Sequence, residues 1–501
     1  MIRHIAFTLA SRVSSILALL LCTPFYFRVL GVDGYALIAT SLIAHSLSGL
    51  IDAGLSPLAA AALARAGDER RGRGAVLSEV FLRSGRRIIP LWIISVTGMT
   101  LYYILAAHET STSYAGSLTT SMILFSDVFA LVFFRIQYAC LQGAGRHAVA
   151  NILYTITLGL RAALGVAAVL MFRVPQAVLA AQAVGALVGI GAALLILEYD
   201  PLHAWRIVSR PWRGALSDQS SINAVALRNL WAISFFASVT SVFPQLVVKF
   251  AGAPADLSRF SLAGSVANAL LAFQTAYQAV LLPEFAQRTR AKDEVDPPAA
   301  AGRAMTGTFV IVSICGASYV SAESLLALWL GDFDAERLHA IATLMRWQLA
   351  SVALLAATAV PYVLCIVQGR TKPQLQASLV YFILTALGTP LGYRLAGTRG
   401  VAIAATLATA LFSIVYVLAA EKASFSMRAF RLIRWAILPG LAGALPAFVT
   451  LLLVSSAPPK NYTGAFANLV LQTAVALAFT AGVAAMAYRF HSQLFGRKNL
   501  S

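Results

Sequence analysis

Charge is scarce in this sequence, and negative charge is scarcest. Charged residues fill 12% of 501 positions, against about 25% in a soluble domain. Only 20 are Asp or Glu, while 38 are Lys or Arg. So few charges cannot clothe a water-exposed globule of this length, and that class is excluded. The four cysteines, Cys22, Cys140, Cys315 and Cys365, lie in or at the ends of apolar stretches. None pairs across an outer loop, so neither a disulfide framework nor a metal site is expected. The seven histidines are scattered, and HExxH, GxSxG and GxxxxGK[ST] are all missing. That excludes the usual zinc hydrolase, the nucleophile elbow and ATP hydrolysis at a phosphate loop. No loop is long enough to fold as a domain. An enzyme acting on a lipid-linked sugar would want acids clustered on an outer loop, and the first outer loop offers Asp33 alone.

What the chain has instead is apolar length. Hydrophobic residues reach 59%, with a mean hydropathy of +0.77. Stretches near 20 residues, enough to cross roughly 30 Å of hydrocarbon, recur from end to end. They show no period-2 alternation, so they read as helices and not as barrel strands. About fourteen spans are expected, at 10–30, 35–57, 86–107, 117–141, 148–172, 177–199, 228–250, 259–282, 304–330, 338–367, 374–395, 399–420, 435–456 and 464–488. The fold class is an all-α polytopic membrane protein.

The formal net charge of +18 invites a nucleic-acid reading, but its placement opposes one. With the N-terminus inside, alternate loops carry the cations: Arg65, Arg70, Arg71, Arg73, Arg83, Arg86 and Arg87 in one, Arg206, Arg210 and Arg213 in another. Arg288, Arg290, Lys292 and Arg303 follow, then Lys422, Arg428, Arg431 and Arg434, and the tail has Arg497 and Lys498. Opposite loops such as HETSTSYAGS after Ala107 are nearly free of cations. This is the positive-inside asymmetry, and it puts both termini in the cytoplasm, with anionic membrane lipids as partners. The opening MIRHIAFTLASRV lacks a clear cleavage site and is expected to stay as the first helix. Trp205 and Trp212 among arginines make 201–227 either an interfacial helix or a plain linker.

The chain also repeats. A cation stands three residues before a glycine at Arg28 and Gly31, and again at Lys249 and Gly252, about 220 residues on. The following runs stop at Pro57 and Pro283, and CLQGAGRH at Cys140 returns as CIVQGRTK at Cys365. Six spans per half make the repeats parallel, related by a pseudo-twofold axis along the membrane normal. The expected organisation is a six-helix lobe at 1–200, the cytoplasmic linker 201–227, and a second pseudosymmetric six-helix lobe at 228–422. Two appended helices and a tail occupy 423–501.

Charges inside spans are costly unless they face protein or water, so they mark candidate sites. Asp127 and Arg135 share the fourth span and Arg161 lies mid-way along the fifth. Either a surplus cation waits for an anion, or Asp127 and Arg161 form a structural pair. Glu323 and Arg346 flank one outer loop, as a closing salt bridge or as ligand contacts. Arg28 and Lys249 end the first spans of the two halves, facing a common axis or snorkelling to headgroups. Asp52, with His45 two turns earlier, either binds Na⁺ or a proton or pairs with an inner arginine such as Arg12 or Arg65. Asn268, Gln274, Thr275, Tyr277 and Gln278 make the eighth span polar, as a cavity lining or through helix–helix hydrogen bonds.

GVDGYALIATSLIAHSLSGLIDAGLSPLAAAALAR resembles the opening repeat of polysaccharide–lipid flippases. These are the Wzx-like branch of the multidrug/oligosaccharidyl-lipid/polysaccharide (MOP) exporter superfamily. PQLVVKFAGAPADLSRFSLAGSVANALLAFQTAYQAVLLPEFAQ resembles the start of their second lobe, and LLALWLGDFDAERLHAIATLMRW and QGRTKPQLQASLVYFILTALGTPLGYRLAGTRGVAIAATLATAL resemble their ninth to twelfth helices. The family often has an acid early in the second lobe, where this chain has Gln245 and Lys249. The resemblance implies a V-shaped pair of bundles around a central cavity. It also implies an undecaprenyl-diphosphate-linked oligosaccharide crossing from the inner to the outer leaflet of a bacterial cytoplasmic (inner) membrane by alternating access. The process served would be lipopolysaccharide or exopolysaccharide biosynthesis, alongside a polysaccharide polymerase and glycosyltransferases.

The expectation is therefore a flippase and not an enzyme. Arg28, Arg135, Arg161, Lys249 and Arg346 are its candidate headgroup contacts. Asp52, Asp127 and Glu323 are the candidates for ion coupling or gating. No cofactor is expected; H⁺ or Na⁺ is the candidate coupling ion. The rivals are a cation-coupled multidrug or metabolite exporter of the same superfamily, a membrane polysaccharide polymerase or ligase, and a scaffold recruiting glycosyltransferases.

Overall fold

The computed structural model describes residues 2–46, 56, 89–101, 114–197, 224–290, 297–331, 334–367, 372–424 and 461–472. Every regular element among the described residues is a helix. Six helices there are long and apolar enough to cross a membrane, or seven when one sharply bent pair counts as a single span. The chain divides into two compact units, Met1–Val242 and Phe243–Ser501. The division falls inside the helix Ala224–Ala251.

In the first unit, α1 (Ile2–Ser46) is two helical segments joined at a kink. Gly31 makes the kink with φ 69° and ψ −174°, a conformation that glycine adopts freely and other residues do not. It lies between the spans expected at 10–30 and 35–57. Then come α2 (Ile89–Leu101), α3 (Tyr114–Gly143), α4 (His147–Phe172) and α5 (Pro175–Ile196). Pro175 sits in the first turn of α5, where its missing N–H costs nothing. The most extensive packing in this unit is between α4 and α5, with α3 and α1 against them. Glycine makes the approach close: a Cβ on Gly185 would stand 3.0 Å from the Arg161 Cα and 2.8 Å from its Cγ. Without a hydrophobic force between helices in lipid, such small-residue seams let van der Waals packing hold them together. Phe134, Leu141, Ala150 and Ala193 are fully buried where α3, α4 and α5 meet.

The unit boundary falls within α6 (Ala224–Ala251), which leads to α7 (Pro254–Arg290). The span expected at 304–330 is two helices, α8 (Pro297–Val320) and α9 (Ala322–Leu330), bent by 75°. At the break the Ser321 hydroxyl donates to the Ala317 carbonyl at 2.7 Å, competing with the helical ladder. The span expected at 338–367 is likewise α10 (Ala335–Ala356) followed by α11 (Ala359–Val367). There the Thr358 hydroxyl donates to the Leu355 carbonyl at 2.7 Å. Asp334 caps α10, accepting from the Glu336 and Arg337 amides at 3.1 and 3.3 Å. The spans at 374–395 and 399–420 form one bent element, α12 (Lys372–Ser424), kinked at Ala396 and Gly397. The span expected at 435–456 lies outside the described residues, and that at 464–488 is described only over 461–472.

The repeated landmarks fall on matching features. Gly31 and Gly252 each follow the first helix end after their cation. Cys140 and Cys365 are each fully buried near a helix C-terminus, of α3 and α11.

The glycine seam makes one expectation measurable. Gly185→Val should lower stability by about 1–3 kcal/mol through overpacking against Arg161. Gly191→Ala, where a Cβ meets nothing within 4 Å, should be neutral or slightly stabilising. Thermal unfolding in detergent reads both; equal midpoints for the two variants would refute the seam.

Candidate functional site

Three ionisable side chains meet inside the first unit. His45 comes from the last turn of α1, Asp127 from the middle of α3 and Arg161 from the middle of α4. The Asp127 side chain is 0% exposed, that of Arg161 8% and that of His45 13%. Arg161 Nη2 stands 2.9 Å from Asp127 Oδ1. His45 Nε2 stands 3.1 Å from Asp127 Oδ2 and 3.3 Å from Arg161 Nη2. The far side of the imidazole is fixed by its own helix: Nδ1 is 2.8 Å from the Ser41 carbonyl and 3.1 Å from its hydroxyl. The stem of Arg161 passes over Gly185 of α5, which has no side chain to block it.

The contacts differ in kind. Arg161 Nη2 and His45 Nε2 meet hydrogen-bond geometry. The two Asp127 oxygens lie at ion-pair distance without meeting it, and Arg161 Nη1 is buried with no hydrogen-bond partner among the described residues. Charge therefore compensates charge here, but directional bonding is incomplete. A buried ion costs several kcal/mol of desolvation, which attraction offsets only when the geometry is good.

Arg135 shares its helix with Asp127 but is not part of the contact. Along α3, Arg135 is eight residues beyond Asp127, about 12 Å of helix rise, and it is half-buried. The third member of the cluster is His45, which the sequence reading noted only as a neighbour of Asp52. No sequence signal joins it to Asp127 and Arg161, because it comes from a helix distant in sequence. Asp52 lies outside the described residues.

The second unit brings Glu323 and Arg346 together, with Arg346 Nη2 3.3 Å from Glu323 Oε1. Arg346 Nε also donates to the Tyr319 carbonyl at 3.3 Å, and its guanidinium lies 5.9 Å from the Tyr319 ring centroid. A histidine that the sequence reading did not single out joins this hairpin: His339 Nδ1 reaches the same Glu323 oxygen at 3.1 Å. These groups brace the bend between α8 and α9 against α10. Arg28 is exposed in the turn before Gly31, and Lys249 is half-buried in the last turn of α6. Of the polar residues on the eighth span, Gln274 donates to the Leu355 carbonyl at 2.8 Å, a helix–helix bond. Asn268 is exposed on another face.

No protein-family model matches the chain, and no curated protein matches it. Solved structures do. The lipid II flippase MurJ in its inward closed conformation superposes with a TM-score of 0.71 at 12% identity, over 98% of this chain and 99% of that one. A Vibrio cholerae MATE transporter gives 0.59 at 15% identity, over 86% of this chain and 98% of its own. An inward-facing multidrug resistance MATE transporter of the MOP superfamily gives 0.59 at 15%, over 89% and 100%. At such identities the likeness is one of fold, which this chain shares with these three structures over most of its length.

The cluster makes its own expectation. Asp127→Ala should destabilise by about 3–5 kcal/mol, because it strands a buried guanidinium. Asp127→Leu combined with Arg161→Met should recover most of that loss. Unfolding midpoints of the single and double variants decide it; additive losses would mean that the two groups do not compensate each other.

Proposed function

We propose that this protein is a flippase for a lipid-linked oligosaccharide carried on a diphosphate. It would move its headgroup from the inner to the outer leaflet of a bacterial cytoplasmic membrane by alternating access. The observation that carries the reading is length. The lipid flippase superposes on almost the whole chain, whereas the Vibrio cholerae MATE transporter, itself almost fully covered, leaves about a seventh of this chain over. That remainder is close to the length of the appended segment 423–501. A drug exporter of the shorter kind is the weaker fit for that reason.

Charge supports the same reading. A diphosphate carries at least two negative charges and cannot cross hydrocarbon bare. Guanidinium groups lower that barrier through Coulomb attraction and bidentate hydrogen bonds. Arg28 and Lys249 would meet the headgroup near the outer surface. Arg161 would meet it deeper, once released from Asp127, with Arg135 and Arg346 as further contacts. Asp127 and Glu323 would be gating pairs, and Asp52 a candidate site for H⁺ or Na⁺. The lipid tail would remain in the bilayer throughout. Two pseudosymmetric six-helix bundles with two appended helices are the architecture this reading requires. The glycan, the polymerase and the glycosyltransferases served are those of surface polysaccharide synthesis.

Deleting the gene should make lipid-linked oligosaccharide accumulate on the inner leaflet, with surface polysaccharide lost. Complementation with Arg161→Ala, or with Arg28→Ala and Lys249→Ala together, should fail to restore it while immunoblots show normal protein in the membrane. Full export by all these variants would refute the proposed contacts.

A further inference from the structure

The donors and acceptors around His45 do not add up to one stable arrangement. The Ser41 carbonyl only accepts, so Nδ1, 2.8 Å away, carries a proton in either charge state. Nε2 then faces two neighbours with opposite demands. The guanidinium nitrogen of Arg161 at 3.3 Å can only donate. The carboxylate oxygen of Asp127 at 3.1 Å can only accept. A neutral imidazole satisfies Arg161 and turns a lone pair toward Asp127. An imidazolium satisfies Asp127 and turns an N–H toward Arg161. The contact to Arg161 meets hydrogen-bond geometry, and the one to Asp127 lies at ion-pair distance.

We infer that His45 is a proton-operated switch on Arg161. Taking one proton from water at Nε2 transfers that nitrogen from Arg161 to Asp127 and leaves the buried cluster with one uncompensated positive charge. Arg161, whose Nη1 is already buried without a hydrogen-bond partner among the described residues, then shares its carboxylate with a second cation and is free to take an external anion. Proton loss reverses each step. No bond other than N–H forms or breaks.

Among the described residues, the surroundings leave this charge to the three groups named. Helix α1 packs on α3, α4 and α5. From α3 the facing charged group is Asp127 and from α4 it is Arg161. Helix α5 has no charged residue along its length. Tyr26 of α1 lies within electrostatic reach of Arg161 and is tied to Gln182 at 3.3 Å. Asp52, seven positions after His45, lies outside the described residues. Imidazole is also the side chain whose ordinary titration falls between about pH 5 and 8.

The use of the switch, though not its existence, rests on the function proposed above: an added positive charge strengthens capture of a diphosphate headgroup, and by linkage the headgroup strengthens proton uptake.

The test uses the full-length protein in nanodiscs of phosphatidylethanolamine and phosphatidylglycerol, with nitrogen-15-labelled histidine and arginine and no substrate. Loss of one signal in His45→Gln assigns the ring. On acidification between about pH 8 and 5, His45 Nε2 should pass from unprotonated to protonated, and the Arg161 Nη signals should shift in the same step. A ring that keeps its charge state throughout, or an Arg161 that does not follow, overturns the inference, and neither result needs a variant that folds poorly. A second arm measures binding of farnesyl diphosphate at the two ends of that range. Tightening by about 5-fold or more on acidification, abolished in His45→Gln, supports the coupling. A switch that operates while diphosphate binding stays level upholds the switch and overturns the headgroup reading.

Discussion

The protein depends on keeping one guanidinium charged where charge is expensive. Arg161 sits mid-way along a helix that must cross hydrocarbon, and Asp127 on the neighbouring helix makes that tolerable. Much of the first unit follows from the pair. α3 and α4 must lie side by side at one register for the two groups to meet at 2.9 Å. Gly185 keeps α5 close enough to cover the arginine stem. The last turn of α1 must arrive at the same depth, because His45 completes the cluster.

A third ionisable group separates this cluster from an ordinary buried salt bridge. Apolar residues of equal volume would serve stability at least as well as a buried pair. Here one imidazole nitrogen lies between a guanidinium and a carboxylate, both within 3.3 Å. The Glu323–Arg346 contact in the second unit is different. It is about one-fifth exposed on each side, and exposed pairs of that kind contribute little, about 1 kcal/mol or less. Its carboxylate serves His339 and Arg346 together, and it holds a bent helix pair in place.

Apolar run length gave away most of the helices, because a span in lipid must satisfy its own backbone and so announces itself as an unbroken stretch. The kink at Gly31 was legible for the same reason that it exists, a glycine between two apolar runs. The breaks at Ser321 and Thr358 were not legible. Each depends on a hydroxyl that bonds back to its own helix, which a serine or threonine in an apolar run does in some settings and not in others. The Asp127–Arg161 pair could be seen as one of two alternatives from the short loop joining their helices. His45 could not be joined to them, since it comes from a helix distant in sequence and only packing reveals that it reaches the same depth. Arg135, on the same helix as Asp127, is separated from it by about two turns.

The most direct measurement of the central claim is flipping by the purified protein in liposomes, using a fluorescent prenyl diphosphate oligosaccharide and a membrane-impermeant quencher. The account predicts that the protein equilibrates this lipid between leaflets, and that the same glycolipid lacking its diphosphate is moved far more slowly. Equal movement of the charged and uncharged lipids would contradict it, because the buried arginine would then have no part in choosing what crosses.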